Sequence, residues 1–472
     1  MKTLFVIVVF FCCLLPAAAA QSPSSAHAEE LPRGQIIERL AARDDPSQSY
    51  ALYLPSHYST NRAWPILYCF DPLGRGSVPV ERFREAAEKY GWIVVGSNNS
   101  RNGPLAPSVA AARAVWADTR ARLSIDDRRL YAAGFSGGAR HAVRVNQLCQ
   151  NCLAGVIACG AGFPPDIDPS ASSRFALFGM AGADDFNFPE LKLLDERLAR
   201  LGFPHRLEVF DGGHSWAPAH VCTKAVEWME LQAMRAGRRT RDEKLIGELW
   251  DKMLAKAVDD EAAGRVYDAW VAYRSLAEDF EGLRDVAGEA GRAARLGESK
   301  EVRRALDEEG AQIRRQQNLF DRIRALHESR SGAEEPAVVL MEFRRAVAAL
   351  GKAAGAGGDT GERRVARRTL RQLFAHYYES AANLRDRGVE SGRVVSHLEV
   401  AAEIIPDNPQ VLFELASAYA VNREKKKALT TLRKSVESGF TDADAVAGNE
   451  SLAPLRDEAA FKEIVERLRE KP

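Results

Sequence analysis

The five residues Gly-Phe-Ser-Gly-Gly at 134–138 constrain the fold of this chain more than any other short stretch. They follow the apolar run 130–133 and precede a helix-compatible stretch, 139–148. A G-x-S-x-G sequence between a strand and a helix is typical of a tight turn that holds the serine out of the sheet, with glycines where a Cβ would collide with the backbone. The N-terminus of the following helix stabilises negative charge beside that serine. The pattern therefore predicts that Ser136 is a nucleophile.

Two later strand-like runs end in residues that would complete a catalytic triad. The run 174–180 leads to Asp184 and Asp185, and the run 205–210 leads through two glycines to His214. Serine, acid and histidine in this order, each just past a strand, are typical of an α/β-hydrolase. Because the carboxyl ends of parallel strands gather along one sheet edge, the three residues are expected to converge.

The expected roles follow from the weakness of a neutral alcohol as a nucleophile. His214 would remove the proton of Ser136 during attack on an acyl carbon and return it to the leaving alcohol. Asp185 would fix the histidine tautomer and stabilise the imidazolium. Asp184 competes for this role, and Asp185 is preferred because acids in this fold commonly lie a few residues past a strand-end glycine, here Gly182. Otherwise, Asp184 would be a solvated loop residue or a cap for the next helix.

An oxyanion hole requires two N–H donors near the nucleophile. We expect the first from Gly137, which follows the serine directly, and the second from the loop after the predicted strand 64–70. Pro72 has no N–H to donate, so Leu73 is the preferred donor in that loop and Asp71 the alternative.

Five motifs carry a resemblance to a known group of proteins. They lie at 70–76, 96–102, 134–138, 185–188 and 213–218. They resemble secreted bacterial esterases related to polyhydroxybutyrate depolymerases, feruloyl esterases and dienelactone hydrolases. The resemblance implies hydrolysis of small or polymeric carboxylic esters through an acyl-enzyme, with Ser136, Asp185 and His214 as the triad and with no cofactor or metal. Since no long insertion separates the predicted strands, a large lipase-type lid is not expected.

The first 20 residues have the pattern of a signal peptide. Lys2 precedes the apolar stretch 4–15, and small residues at 17–20 suit cleavage near Ala20, with a second small-residue site at 26–28. The apolar stretch is short for a membrane span, although an uncleaved anchor is the alternative. We therefore expect an exported protein, periplasmic or extracellular, with a flexible segment at 21–30.

The charge balance and the cysteine content indicate which binding partners and which cellular compartment are expected. The chain has 65 basic and 65 acidic side chains, so nucleic acid and anionic membranes are not expected partners. In an exported protein disulfides are permitted, and the C-x-x-C pair Cys149 and Cys152 is expected to form a local bridge at a helix end. Cys69, in a predicted core strand, is expected to be buried.

Beyond the hydrolase domain, at 31–237, the strand pattern disappears and helical spacing takes over. We expect a helical region at 238–351, a flexible connector at 352–361, and tetratricopeptide-like repeats with a capping helix at 362–472. The basic run at 363–368 is interpreted as a solvated helix face. The predicted fold is thus an α/β-hydrolase, a mainly parallel sheet flanked by helices, followed by an all-α tetratricopeptide-like helical repeat domain.

Three functions are compatible with this organisation. The first is an exported esterase whose repeats bind a protein or peptide, or position the enzyme. The second is an adaptor with a catalytically silent hydrolase scaffold, against which the intact serine, acid and histidine candidates count. The third is a serine peptidase of the same fold, which would differ from the first only in its leaving group.

Overall fold

An eight-stranded sheet forms the centre of the N-terminal half. Its strands are β1 (Ile36–Ala41), β2 (Ser49–Tyr53), β3 (Trp64–Phe70), β4 (Ile93–Ser97), β5 (Ile125–Phe135), β6 (Gly155–Cys159), β7 (Ala176–Gly182) and β8 (His205–Phe210). They are arranged in the order β1-β2-β4-β3-β5-β6-β7-β8. Strand β2 is antiparallel to both of its neighbours, whereas β3 to β8 pair in parallel. This order, with helices on both faces, is an α/β-hydrolase fold, and it confirms the predicted class.

The computed structural model describes residues 30–470 apart from 171, 172, 174, 330–335, 359 and 390. The predicted signal peptide at 1–20, and all but the last residue of the segment 21–30, lie outside these residues. From Arg33 onward the chain forms one compact unit.

Helices pack on both faces of the sheet. They are α1 (Ser77–Tyr90), α2 (Leu105–Arg122), α3 (Gly137–Leu148), α4 (Phe188–Arg200) and α5 (Ala219–Arg235). In β3, Leu67 and Cys69 belong to a core shared with α1 and α5. Tyr68, between them, stacks on Trp116 of α2 with ring centroids 5.0 Å apart. Successive strand side chains point to opposite faces, so a strand covered on both faces is apolar throughout, as β3 is.

The local bridge predicted from the C-x-x-C pair is present. Cys149 and Cys152 form a disulfide immediately after α3. The other cysteines among the described residues, Cys69, Cys159 and Cys222, are buried free thiols, as expected for Cys69.

The C-terminal half is built from helices, in agreement with the predicted class. They are α6 (Glu243–Ala262), α7 (Val266–Phe280), α8 (Ala287–Gly297), α9 (Lys300–Ser329), α10 (Pro336–Ala354), α11 (Gly361–Asp386), α12 (Ser391–Ile404), α13 (Pro409–Val421), α14 (Lys425–Glu437), α15 (Ala443–Gly448) and α16 (Ala459–Glu470). Consecutive helices pack in pairs, most extensively α13 with α14, α11 with α12, and α6 with α7. The segment between α10 and α11 is shorter than the predicted connector at 352–361, because helix occupies both of its ends. Within the described residues, no helix combines the length and apolar character needed to span a bilayer.

Buried polar contacts join the two halves beside α5. The indole Nε1 of Trp228 donates to Oδ1 of Asp279, on α7, at 2.7 Å. Arg206 of β8 lies 3.5 Å from the same carboxylate. Burial, opposed by these partners, raises the pKa of Asp279. The first helices after the sheet are therefore docked on it by specific polar pairs as well as by apolar packing.

The core under α1 should be sensitive to loss of volume. Phe83 is fully buried, so Phe83→Ala should lower the free energy of unfolding by about 3–5 kcal/mol. Leu193→Ala is the matched control, since Leu193 is 54% exposed and its loss should change stability by less than about 0.5 kcal/mol. Urea unfolding followed by tryptophan fluorescence measures both. Equal destabilisation by the two substitutions would contradict the assigned core.

Candidate active site

Ser136 lies at the turn between β5 and α3 in a strained backbone conformation. Its φ is 54° and its ψ is −123°. A residue with a side chain rarely adopts such angles unless the surrounding structure enforces them. Gly134 and Gly138 enforce the turn, because a Cβ on Gly134 would overlap the backbone of Gly138, and one on Gly138 would overlap that of Phe70. Only glycine fits at these two positions, and the serine hydroxyl is presented at the sheet edge.

The structure brings Ser136, His214 and Asp185 together. The hydroxyl of Ser136 lies 2.9 Å from Nε2 of His214. Nδ1 of the same ring lies 2.9 and 3.0 Å from the two carboxylate oxygens of Asp185, which is 1% exposed. When Nδ1–H donates to the carboxylate, Nε2 is left as an acceptor for the hydroxyl. The arrangement can therefore move a proton from the serine to the imidazole.

The imidazole is held between aromatic rings and a close backbone segment. The rings of Phe135 and Phe186 have their centroids 4.6 and 4.2 Å from that of His214. Gly160, with a φ of 66°, passes beneath the pair, and a Cβ there would lie 3.1 Å from Oδ2 of Asp185 and 3.2 Å from Cε1 of His214. The ring orientation is thus fixed by packing as well as by hydrogen bonds.

Of the two adjacent aspartates, the structure places Asp185 and not Asp184 beside His214. The Asp184 carboxylate is instead paired with Arg367 of α11, with the closest atoms 2.7 Å apart. Neither of the other interpretations of Asp184, a solvated loop residue or a helix cap, describes this contact. Asp184 joins the C-terminal half to the loop that carries Asp185.

The two predicted oxyanion donors have different surroundings. Gly137 is the first residue of α3, so its N–H has no acceptor within the helix. The N–H of Leu73 donates to Oδ1 of Asp71 at 2.9 Å, so an oxyanion would compete with that carboxylate for it. Burial of Asp71 is outweighed by hydrogen bonds from Arg75, Trp216 and Leu73, which hold its pKa below the ordinary value.

The side-chain amide of Asn102 lies at the turn formed by residues 134–138, called here the elbow. The sequence patterns predicted no role for this amide. It lies against Gly137 so closely that a Cβ on that glycine would overlap its Oδ1, the nearest atom, while Nδ2 would lie 3.2 Å from the Cβ position. Its own backbone N–H donates to the carbonyl of Pro72 at 2.8 Å, which ties it to the loop after β3. The motif at 96–102 contained this residue, but nothing in the pattern indicates its proximity to Gly137.

Two cavities lie next to Gly137 and His214, respectively. One, of about 220 Å³, lies beside Gly137 and is called here the elbow cavity; its walls include Pro72, Arg101, Asn102, Leu105, Arg140 and Pro164. The second, of about 320 Å³, lies beside His214 and is called the interdomain cavity; it is lined by Phe186, Gly213, His214, Ser215, Arg371 and Phe374. Within the described residues, no cluster of His, Cys, Asp and Glu is suited to hold a metal ion.

The basic run at 363–368 is not a solvated helix face, and that interpretation is wrong. Arg368 is only 2% exposed, its Nε donates to the carbonyl of Ala183 at 2.8 Å, and its guanidinium lies 3.9 Å above the ring of Phe188. Burial, the largest cause, and the neighbouring Arg364 lower the pKa of Arg368 to about 10. The only signal for this contact in the sequence is the helical spacing of the arginines, which a solvated helix shares.

No protein-family model and no curated protein sequence matches the chain. Solved structures similar to its N-terminal half include FphF, a fluorophosphonate-binding serine hydrolase of Staphylococcus aureus (15% identity, 42% of this chain and 99% of that chain, TM-score 0.35). Others are an esterase of Pyrobaculum calidifontis (14%, 43% and 85%, TM-score 0.34) and the feruloyl esterase module of Clostridium thermocellum (15%, 41% and 85%, TM-score 0.32). The strand order and the elbow, rather than these distant likenesses, identify the fold of this chain.

If Asp185 orients His214 during catalysis, replacing it should be far more damaging than replacing its neighbour. Asp185→Asn should lower kcat by about 10⁴-fold, because the amide favours the wrong imidazole tautomer. Asp184→Asn, the matched control, should change kcat by less than about tenfold, since it weakens one of several contacts that hold the loop and leaves the Asp185 carboxylate in place. Steady-state kinetics on p-nitrophenyl acetate compares the two. A larger loss in Asp184→Asn would reverse the assignment.

Proposed function

We propose that this chain is a serine hydrolase that cleaves carboxylic esters. The observation that carries the proposal is the hydrogen-bonded succession from Ser136 through His214 to Asp185, on a strained turn at the edge of the sheet. Nucleophilic acyl transfer requires a base beside the alcohol and a carboxylate that orients the base. Here the base, His214, lies 2.9 Å from the Ser136 hydroxyl, and the buried carboxylate of Asp185 lies behind the imidazole. A catalytically silent scaffold has no need for all three groups in contact.

In the proposed reaction, Oγ of Ser136 bonds to the acyl carbon while Nε2 of His214 takes its proton. The imidazolium is stabilised by Asp185. Collapse of the tetrahedral intermediate breaks the bond to the alcohol, which leaves with the proton from His214. A water molecule then attacks the acyl-enzyme by the same route, and the acid product is released with Ser136 restored.

Negative charge on the tetrahedral oxygen would be met by the N–H of Gly137 and by the N-terminal end of α3. Leu73 is the proposed second donor, and to act it must exchange Oδ1 of Asp71 for the oxyanion. The amide of Asn102 is a second candidate for that place because it carries a donor, Nδ2, although its Oδ1 is the atom that lies nearest Gly137.

We propose that the enzyme works outside the cytoplasm. The support is the predicted signal peptide at 1–20 together with the Cys149–Cys152 disulfide, a bond that persists in oxidising compartments.

The paired helices of the C-terminal half, above all α13 with α14, are the part of the chain that the tetratricopeptide-like interpretation describes. A protein or peptide on these helices is the proposed partner.

Replacement of the nucleophile tests the reaction. Ser136→Ala should lower hydrolysis of p-nitrophenyl esters by about 10⁶-fold or to background, because no other group can form the acyl-enzyme. It should also abolish labelling by a fluorophosphonate probe.

The matched control is Ser329→Ala, which removes an exposed hydroxyl at the end of α9 and should retain both labelling and turnover. Labelling that persists in Ser136→Ala would exclude Ser136 as the nucleophile. Casein as a parallel substrate distinguishes an esterase from a peptidase with the same triad, because only a peptidase would release peptides from it.

A further inference from the structure

The C-terminal half holds the loop that carries Asp185 from both sides of that residue. On one side, Arg367 pairs with the Asp184 carboxylate at 2.7 Å, and Nε of Arg368 donates to the Ala183 carbonyl at 2.8 Å. On the other side, Nε2 of Gln316, on α9, donates to the Phe186 carbonyl at 2.9 Å. Two helices of the C-terminal half therefore fix the segment in which the proposed triad acid lies.

A single face of α11 makes these contacts and continues along the mouth of the site. Residues 364, 367, 368, 371 and 374 follow the three-and-four spacing that brings side chains onto one side of a helix. The guanidinium of Arg371 lies directly against the backbone of Gly213, the residue before His214. One turn further, Phe374 reaches the interdomain cavity. The helix is thus a wall of the site.

Helix α11 lies on the same side of Ser136 as His214. The interdomain cavity is bordered by His214 and Ser215, whereas the elbow cavity is bordered by Gly137. The imidazole must deliver its proton to the departing alcohol, so the alcohol of a bound ester lies on the side of the imidazole. The acyl group is then left to the elbow cavity. The two cavities correspond to the two halves of an ester.

From this geometry we infer that α11 forms the alcohol-side wall of the active site, and that Phe374 and Arg371 select flat aromatic alcohols bearing an anionic group. The inference rests on the proposed ester hydrolysis. Phe186 and Phe374 supply two apolar faces to the cavity, which suits an aromatic ring. Arg371 supplies an exposed guanidinium at the same cavity, which suits a carboxylate. At about 320 Å³, the cavity has room for such a group.

Butyrate esters of ethanol, benzyl alcohol and 4-(hydroxymethyl)benzoate test the inference, because these alcohols are similar leaving groups and differ mainly in shape and charge. The wild-type protein should prefer the carboxybenzyl ester. Phe374→Ala should lower kcat/KM for both aromatic esters by about tenfold and leave the ethyl ester within twofold. Arg371→Gln should lower kcat/KM by about tenfold for the carboxybenzyl ester alone.

Ethyl acetate, butyrate and hexanoate provide the complementary series, in which only the acyl group varies. Leu105→Ala, in the elbow cavity, should change the preference among these acyl groups and leave the alcohol preference unchanged, the reverse of Phe374→Ala. Phe374→Leu keeps an apolar side chain, so it controls for loss of folding. Arg371→Gln also removes the contact with the Gly213 backbone and the hydrogen bond from Nη1 to the Asp184 carbonyl, so the rate on the ethyl ester controls for any effect on His214.

Equal losses on all three alcohols, or a change in acyl preference in the Phe374 and Arg371 variants, would overturn the inference. Fluorophosphonate labelling of Ser136 separates this failure from failure of the proposed function. A wild-type protein that is neither labelled nor active on any ester would contradict ester hydrolysis itself, and with it the assignment of an alcohol side. A labelled and active protein without the predicted alcohol preference would contradict only the role of α11.

Discussion

The hydrogen bond between His214 and Asp185 joins two loops that leave neighbouring strands, β7 and β8, at the same edge of the sheet. Its geometry requires both strands to end in register and both loops to turn back sharply. Gly182 allows this, because a Cβ there would overlap the backbone of Gly212 and Gly213. The position of the base relative to the nucleophile therefore depends on how closely these two loops approach each other.

The loop that carries Asp185 is stabilised by charge from a distant part of the chain. Placing the guanidinium of Arg368 among buried groups has a desolvation cost, and its Nη1 has no hydrogen-bond acceptor among the residues that the structure describes. The carbonyl of Ala183, the ring of Phe188 and the nearby carboxylates offset part of that cost. A buried cation with incomplete pairing is poorly explained by stability alone, and it lies behind Asp185, the proposed triad acid.

Short sequence patterns were sufficient to predict the parts of the structure that depend on contacts between nearby residues. The bounds of β3 and β8 coincide with the predicted runs. Strand β3 is apolar throughout because it is buried on both faces, whereas β8 is a partly buried edge strand that mixes polar and apolar residues. The elbow at 134–138 was predictable because its glycines are demanded by contacts within a few residues and with the adjoining strand. The order of serine, acid and histidine then followed from the geometry of a parallel sheet.

The contribution of α11 could not be predicted in this way. Arg367 and Asp184 are separated by 183 positions, and a run of arginines on a helix has the same composition whether it faces water or a carboxylate. The absence of a long insertion between the strands argued against a large lipase-type lid, and the element beside His214 instead comes from the C-terminal half. The hydrogen bond between Leu73 and Asp71 is likewise a feature of loop conformation, which residue types alone do not specify.

A wall fixed by ion pairs differs in its thermodynamics from a hinged cover. Because α11 is held in place before any ligand arrives, by contacts of its residues with Asp184, Ala183 and Gln316, no free energy of binding is consumed in closing it. The entropy cost of ordering α11 is incurred once, when the chain folds, and not at each turnover. Such rigidity favours discrimination among ligands by their shape, and it narrows the range of substrates that a movable cover would accept.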